Sequence, residues 1–479
     1  MPPVDSEYFS PYTEVRESAL RTRIYTVHEP LLSPFETELL VRIRTHLREN
    51  QNPQSPYTKE TLAAACDTAL RDIRIPVSDA TRKKILYRLD ADILGWGKLE
   101  LLRHDPDIED ISCVGWQYPL YLYHRKYRDI ETDICFSSEE ELIRTISLFA
   151  QKAGKQISLQ NPVVDGTLED GSRIQLTFGS TLSSRGPGFT IRKFRSTPYS
   201  VIDLLQNRTF TIEEMVYLWF AIEYNRSILI IGGTASGKTT TLNALSQFIP
   251  PLSKIVTLED TGELMLCHGN WYPAVVPPAG GRETLSLFDL VAAAMRQRPE
   301  YLIVGEVRGK ETSAMFQAIN TGHTSFSTFH AGDFQSAVNR LENPPLNIPR
   351  AMIATLDIVL SQQRIVQNGV QMRRCREIAE IHMQTDGQLC AKPVFTYQRE
   401  TDDAKSSVDS RLHAEIPLLA GIDAEAFNRE WDCRCLLLTS LLCQNITDFQ
   451  DVSAVLDAYM TDCTAVLSSI DSLRDICGV

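Results

Sequence analysis

ILIIGGTASGKT, residues 228–239, is the stretch on which the fold turns. Four apolar residues run directly into GGTASGKT at 232–239, which satisfies the GxxxxGKT spacing, and TTTLNALSQFI continues with helical patterning. A buried strand, a glycine loop and a helix in that order make a phosphate cradle, because glycine permits backbone conformations in which successive N–H groups converge on an anion. Gly232, Gly233, Thr234, Ala235, Ser236 and Gly237 form the cradle in this reading, and Thr240 extends it into the helix. Lys238 places an ammonium against the β- and γ-phosphates, and Thr239 offers a hydroxyl to Mg²⁺, an ion that prefers oxygen ligands.

Three further apolar runs follow: IVTL at 255–258, YLIV at 301–304 and SFSTF at 325–329, separated by longer stretches with helical patterning. That alternation predicts a parallel sheet with helices on both faces. Ligands on such sheets lie at the carboxyl ends of the strands. Two acidic blocks sit just beyond apolar runs: Glu259-Asp260-Thr261-Gly262-Glu263 after IVTL, and Glu306 after YLIV-Gly305. Both are expected near the phosphates, with capping of the next helix as the structural alternative for Asp260. His323 and His330 flank the strand-like stretch in TGHTSFSTFH, where a neutral imidazole can donate to a γ-phosphate and report its presence.

Around this block, turn- and polar-rich breaks at 49–60, 195–200 and 401–410 divide the chain. Residues 1–95 read as mostly helical, with Leu39, Leu40, Ile43 and Leu47 at helical spacing. Residues 96–195 alternate strand-like stretches with the helical EEELIRTISLFAQKAG, a small mixed α/β domain. Residues 196–209 read as an interdomain linker, 210–400 as the nucleotide domain, and 401–479 as a linker and C-terminal helical region that caps a subunit or binds a partner.

Composition narrows the chemistry. A chain of 479 residues calls for several folding units. The 48 basic and 61 acidic residues leave a formal charge of −13, which repels a nucleic-acid backbone. Nucleic acid is therefore not an expected partner. The basic cluster His124-Arg125-Lys126-Tyr127-Arg128 reads as a solvated turn or strand end. The apolar runs are too short to span a bilayer, and MPPVDSEYFS has neither the basic start nor the apolar stretch of a signal peptide, so a cytoplasmic location is expected. The cysteines are dispersed, odd in number at 11, and free of any CxxC pair, so neither a disulfide framework nor a zinc site is expected. Cys433, Cys435 and Cys443 read as small apolar side chains of a helical core.

The blocks GGTASGKTT, IVTLEDTGEL, RQRPEYLIVGEVRG and TGHTSFSTFH, in this order, resemble the secretion ATPases of type II and type IV systems, including type IV pilus motors. HRKYRDI, DGSRIQLTFG, GFTIRKF and RLENPPLNIPR are similar to the archaeal branch, which serves archaeal pili, secretion systems and the archaellum. The resemblance implies a RecA-like motor domain preceded by a smaller α/β domain, a hexamer, and nucleotide between the two domains. It makes residues 232–239 the Walker A motif, Glu263 the water-activating base, Glu306 the Walker B acid near Mg²⁺, and His323 and His330 the histidine box. Arg173 in DGSR and Arg192 in FTIRKF match positions that stabilise the charge on the transferring phosphate, and Arg308 ties the site to its neighbour.

Gly262 departs from the pattern, since archaeal relatives often carry a basic residue there. The tetracysteine zinc module of bacterial type II members is absent. The implied function is an ATP-driven motor at the inner face of the cytoplasmic membrane, acting on a polytopic membrane platform protein. A RecA-like nucleic-acid translocase and a nucleotide-binding scaffold without hydrolysis are the alternatives; the net charge weighs against the first, and intact Lys238, Glu263 and Glu306 against the second.

Overall fold

The structure is a computed structural model that describes residues 11–17, 23–50, 57–179, 182–194, 197–277, 285–367, 370–407 and 410–466. The N-terminal decapeptide and parts of the breaks expected at 49–60, 195–200 and 401–410 lie outside the described residues. The chain divides into two compact units, Met1–Arg195 and Ser196–Val479.

In the first unit, eight strands form one sheet. They are β1 (Tyr12–Glu17), β2 (Arg23–His28), β3 (Ile108–Cys113), β4 (Tyr121–His124), β5 (Arg128–Thr132), β6 (Val163–Thr167), β7 (Arg173–Thr177) and β8 (Gly188–Arg192), in the order β1-β2-β5-β4-β3-β8-β7-β6. The helix Glu139–Lys152 covers one face, burying Leu142, Ile146 and Phe149 against Ile111, Ile174, Leu176, Phe189 and Ile191. The alternate residues of β3, β7 and β8 must then point to the other face.

Residues 1–95 depart in part from the helical expectation. Three helices, Pro34–Asn50, Lys59–Ile73 and Asp79–Leu89, pack on one another through Leu39, Leu40, Ile43 and Leu47 with a core of their own. Before them, YTEVRE and RIYTVH pair as the antiparallel β1 and β2, and β2 joins the sheet beside β5. In the basic cluster, His124 closes β4 and is buried, its Nδ1 accepting from the backbone N–H groups of Lys126 and Tyr127, while Arg125 and Lys126 are exposed and Arg128 is half-buried.

The second unit holds a nine-stranded sheet of β9 (Ile228–Gly232), β10 (Ile255–Glu259), β11 (Trp271–Val275), β12 (Tyr301–Val304), β13 (Thr324–Phe329), β14 (Ile358–Gln367), β15 (Val370–Met383), β16 (Leu389–Gln398) and β17 (Asp403–Ser406). Their order is β11-β10-β12-β13-β9-β14-β15-β16-β17; all pairs from β11 to β14 are parallel, and the remainder are antiparallel. All four apolar runs are thus inner parallel strands. Ile228 and Ile230 enter one core, Leu229 and Ile231 the other, so both faces of β9 are dry, which is why its sequence is a continuous apolar run.

Helices Leu287–Ala294, Glu311–Asn320 and Phe334–Glu342 cover the second of these faces. The first is thicker than the sequence suggests. The stretch expected to be a linker, 196–209, carries the helix Val201–Gln206, with Val201, Ile202, Leu204 and Leu205 buried in this core. Next to it, Ile212–Glu223 is buried on nearly every side, so it needs a second layer of protein outside it. The C-terminal helices Arg411–Ala420, Ala424–Cys443 and Phe449–Thr461 supply that layer: Phe427 and Trp431 meet Phe220, and Tyr459 meets Trp219. The C-terminal region therefore belongs to the core of this unit. Within it Cys433 and Cys435 are half-buried, whereas Cys443 is exposed at the helix end, contrary to the core position expected for it.

One buried carboxyl gives the unit a pH dependence. Glu214 closes a capping box with Thr211, and burial, reinforced by the carboxylates of Glu213 and Asp403, pushes its pKa up to about 8. A raised acid contributes stability below its unfolded value of 4.5 that is lost as pH rises towards 8, at about 1.4 kcal/mol per pH unit within that window. Glu214→Gln keeps the cap and removes the titration. Its melting temperature is expected to exceed that of the wild type at pH 8 by more than at pH 5, as read by circular dichroism melts; parallel curves would exclude Glu214 as the cause.

Candidate functional site: a phosphate loop at the carboxyl edge of the parallel strands

The loop between β9 and the helix Lys238–Leu245 has the backbone that a phosphate cradle requires. Ala235 and Gly237 have φ of 58° and 95°. A Cβ on Gly232 would lie 2.5 Å from the Gln362 carbonyl oxygen and from Ser236 Oγ, so no larger residue fits between β9 and β14 there. Ser236 Oγ donates to the Gly233 carbonyl at 2.9 Å and holds the turn. Thr234 and Ala235 are exposed, Ser236 is buried, and Thr239 and Thr240 are half-buried at the start of the helix.

Lys238 folds back over its own loop, donating from Nζ to the carbonyls of Gly232 at 3.0 Å and Gly233 at 2.9 Å. Burial lowers its pKa, and the nearby Glu306 carboxylate opposes that shift. A partly desolvated ammonium among carbonyl oxygens suits an incoming phosphate, which offers it a full negative charge in place of partial ones.

The other elements converge on the same edge. Glu259 ends β10 and is buried; its carboxylate accepts from the backbone N–H of Glu263 at 2.9 Å and of Leu264 at 3.1 Å. It therefore fixes the turn from which the half-buried Glu263 projects. Gly305, after β12, would bring a Cβ within 3.0 Å of Glu259 Cγ, so a glycine lets the two strand ends approach. Glu306 comes next, and Arg308 bridges it at 3.5 Å to Asp260 at 3.4 Å. Asp260 thus pairs with an arginine across strands rather than capping a helix. Within this subunit, Arg308 ties the two acidic blocks together.

The histidines separate. In β13, Phe329 pairs with Ile231 and Phe326 with Ile228, so His330 emerges beside the start of the phosphate loop. His323 precedes the strand at its other end, roughly 20 Å away at about 3.3 Å per residue. There it contacts Thr321 and lines a cavity of about 450 Å³ with Asn225, Arg298, Glu300 and Asp357. The expected pairing of both histidines at the phosphate is corrected accordingly: only His330 lies at the loop's edge of the sheet in this subunit.

Arg173 and Arg192 belong to the first unit. They stand directly opposite one another on β7 and β8, with Asp110 of β3 across from Arg192 on its other side, so all three share the polar face of that sheet. Burial raises the Asp110 pKa, and the Arg192 charge works against that rise.

Other residues at the loop are ones the sequence did not single out. Asn243 Oδ1, on the loop's helix, accepts from Met265 N–H at 3.0 Å and couples that helix to the acidic turn. Gln362, beside Gly232 in β14, donates to Thr241 Oγ1 at 3.2 Å. Thr328 Oγ1 donates to the Gly305 carbonyl at 2.8 Å beneath Glu306.

The family described as type II/IV secretion system protein matches residues 122–411. An uncharacterised protein of Methanocaldococcus jannaschii is 37% identical over 396 residues, covering 81% of this chain and 72% of that protein. The type IV secretion system protein PtlH of Bordetella pertussis is 28% identical over 260 residues, 47% of this chain and 76% of its own. Among solved structures, the ATPase DotB of Legionella pneumophila aligns with a TM-score of 0.44 at 17% identity, over 74% of this chain and 93% of that one. With its phosphate loop, acidic turn and strand-end carboxylate in the span that the family covers, this chain is a member of the type II/IV secretion system protein family.

Proposed function

We propose that this protein hydrolyses ATP with Mg²⁺ and works as a hexameric motor. In this reading it sits at the inner face of the cytoplasmic membrane, against a polytopic platform protein, and powers protein secretion or assembly of a pilus-like or archaellum-type filament. The observation that carries the ATPase reading is the convergence of Lys238, Glu306 and the Glu259-anchored turn of Glu263 on one edge of the parallel strands. Among the described residues, no helix is long and apolar enough to cross a membrane, which agrees with a peripheral position.

Each residue has a task. The backbone of 232–237 cradles the phosphates, Lys238 neutralises the β- and γ-oxygens, and the Glu263 carboxylate takes the proton from the attacking water. The Thr239 hydroxyl and the Glu306 carboxylate are hard oxygen donors, a set that fits Mg²⁺; when bound, that ion would neutralise charge on the transferring group. His330 donates to the γ-phosphate and registers its loss. Arg173 and Arg192 supply guanidinium charge to the transition state.

For Arg192→Ala, kcat is expected to fall by about tenfold or more with ADP affinity nearly unchanged, because the interaction strengthens only in the transition state. Equal losses in kcat and affinity would make it an ordinary binding residue. The reading as a whole is tested by steady-state phosphate release from wild type and Glu306→Gln, with and without Mg²⁺ and single-stranded DNA. Mg²⁺-dependent turnover that DNA leaves unchanged and the substitution abolishes is the expected result. Stimulation by DNA would replace the motor with a translocase.

A further inference from the structure

Residues 262–268, which follow β10 and carry Glu263, belong to no helix or strand, so no ladder supplies partners for their backbone N–H groups. Side chains do so instead. The N–H groups of Glu263 and Leu264 go to the Glu259 carboxylate at 2.9 and 3.1 Å, and that of Met265 goes to Asn243 Oδ1 at 3.0 Å. Three successive donors are thereby held from two elements: the end of β10 and the helix Lys238–Leu245 that begins at the phosphate loop. On either side of Met265, Leu264 and Leu266 enter the core that also contains Leu242 and Leu245 of that helix.

Asn243 is buried, and it stands four residues after Thr239, on the same face of the helix and about 6 Å further along its axis. The far end of the helix is fixed. Gln247, in the turn that follows, accepts from the Val201 N–H at 2.8 Å and donates to the Phe449 carbonyl at 2.9 Å and to Ser453 Oγ at 2.8 Å. One anchored element therefore carries Lys238 and Thr239 at its start and, one turn on, the acceptor that holds the backbone two residues beyond Glu263. Displacing a reacting group by about 1 Å can cost about a hundredfold in rate, so such a brace bears directly on turnover. An amide also accepts the N–H without adding charge to a turn that already holds Glu259 and Glu263.

We propose that Asn243 is a positioning residue for ATP hydrolysis, which sets the Glu263 carboxylate against the phosphates by bracing its turn on the phosphate loop's own helix. This rests on Glu263 being the base, and the test separates the two ideas. Single-turnover phosphate release and equilibrium ADP binding are measured on the full chain for wild type, Asn243→Ala, Asn243→Asp, Glu263→Gln, and Asn243→Ala combined with Glu263→Gln, with melting curves taken without ligand. Alanine removes the acceptor; aspartate keeps it.

The expected result is a rate about tenfold lower in Asn243→Ala with ADP affinity within about twofold of wild type, and a rate in Asn243→Asp within about threefold. In the Glu263→Gln background, Asn243→Ala is expected to change the rate by less than about twofold, because a residue that acts through Glu263 has nothing left to position. Ligand-free melting should fall by no more than about 4 °C in either Asn243 variant. The same tenfold loss in both backgrounds would overturn the proposal and make Asn243 a prop for the helix. A wild-type rate in Asn243→Ala beside a slow Glu263→Gln would overturn it as well, and so would equal losses in Asn243→Asp and Asn243→Ala. A wild-type rate in Glu263→Gln would overturn the reading of Glu263 as the base, and this assignment with it.

Discussion

Lys238→Ala is expected to lower ADP and ATP affinity by about a hundredfold, since two charge-assisted contacts to phosphate at about 1.5 kcal/mol each sum to that factor. The fold should be indifferent to the change. The ammonium's present partners are the Gly232 and Gly233 carbonyls, and with the long side chain gone water can reach them. The check is a pair of melting curves. Without nucleotide, the variant melts with the wild type; with millimolar Mg²⁺-ADP, only the wild type shifts upward, because stabilisation by a ligand follows its occupancy. A variant that still shifts would move the phosphate site away from residues 232–239.

Glu263→Gln is expected to leave nucleotide binding intact and reduce kcat by about 10²- to 10⁴-fold, the range for loss of a general base. The substitution keeps the backbone contacts of the turn, because Glu259 accepts from the main-chain N–H groups of Glu263 and Leu264. Glu259 is then a positioning residue. Glu259→Gln weakens the acceptor that both N–H groups share and should lower kcat by releasing the Glu263 turn. Single-turnover phosphate release from preformed complexes separates the cases. If Glu263→Gln retains the wild-type rate while Glu259→Gln does not, the base is elsewhere in the turn.

The elements legible in the sequence are those whose burial is symmetric. ILII, IVTL, YLIV and SFSTF are dry on both faces, so each shows as a short run without a charged residue, and the GxxxxGKT spacing then marks the end of the sheet at which the phosphate loop lies. Less legible was anything whose burial depends on a distant partner. β14 and β15 carry Gln362, Arg374 and Glu380 in buried positions, where they bond to Thr241, to Asp402, and to Tyr217 with Ser410. No local pattern announces those partners, and the strands look too polar for an interior.

The segment at 201–206 has the same cause: its four apolar residues are buried only because Ile212–Glu223 and the C-terminal helices enclose them. His323 is a different case. Flanking a strand treats its two ends alike, whereas a parallel strand presents only its carboxyl end to the ligand edge, so the direction of β13 separates His330 from His323.

The central claim is that these carboxylates and the loop make an ATPase that acts as an assembly. Its most direct test is Mg²⁺-dependent phosphate release per mole of wild-type protein, measured across concentrations at which light scattering follows the mass. The account predicts turnover that rises with formation of the hexamer and is lost in Glu306→Gln. Nucleotide bound by the assembled protein, with no phosphate released at any concentration, would contradict it and leave a nucleotide-binding scaffold.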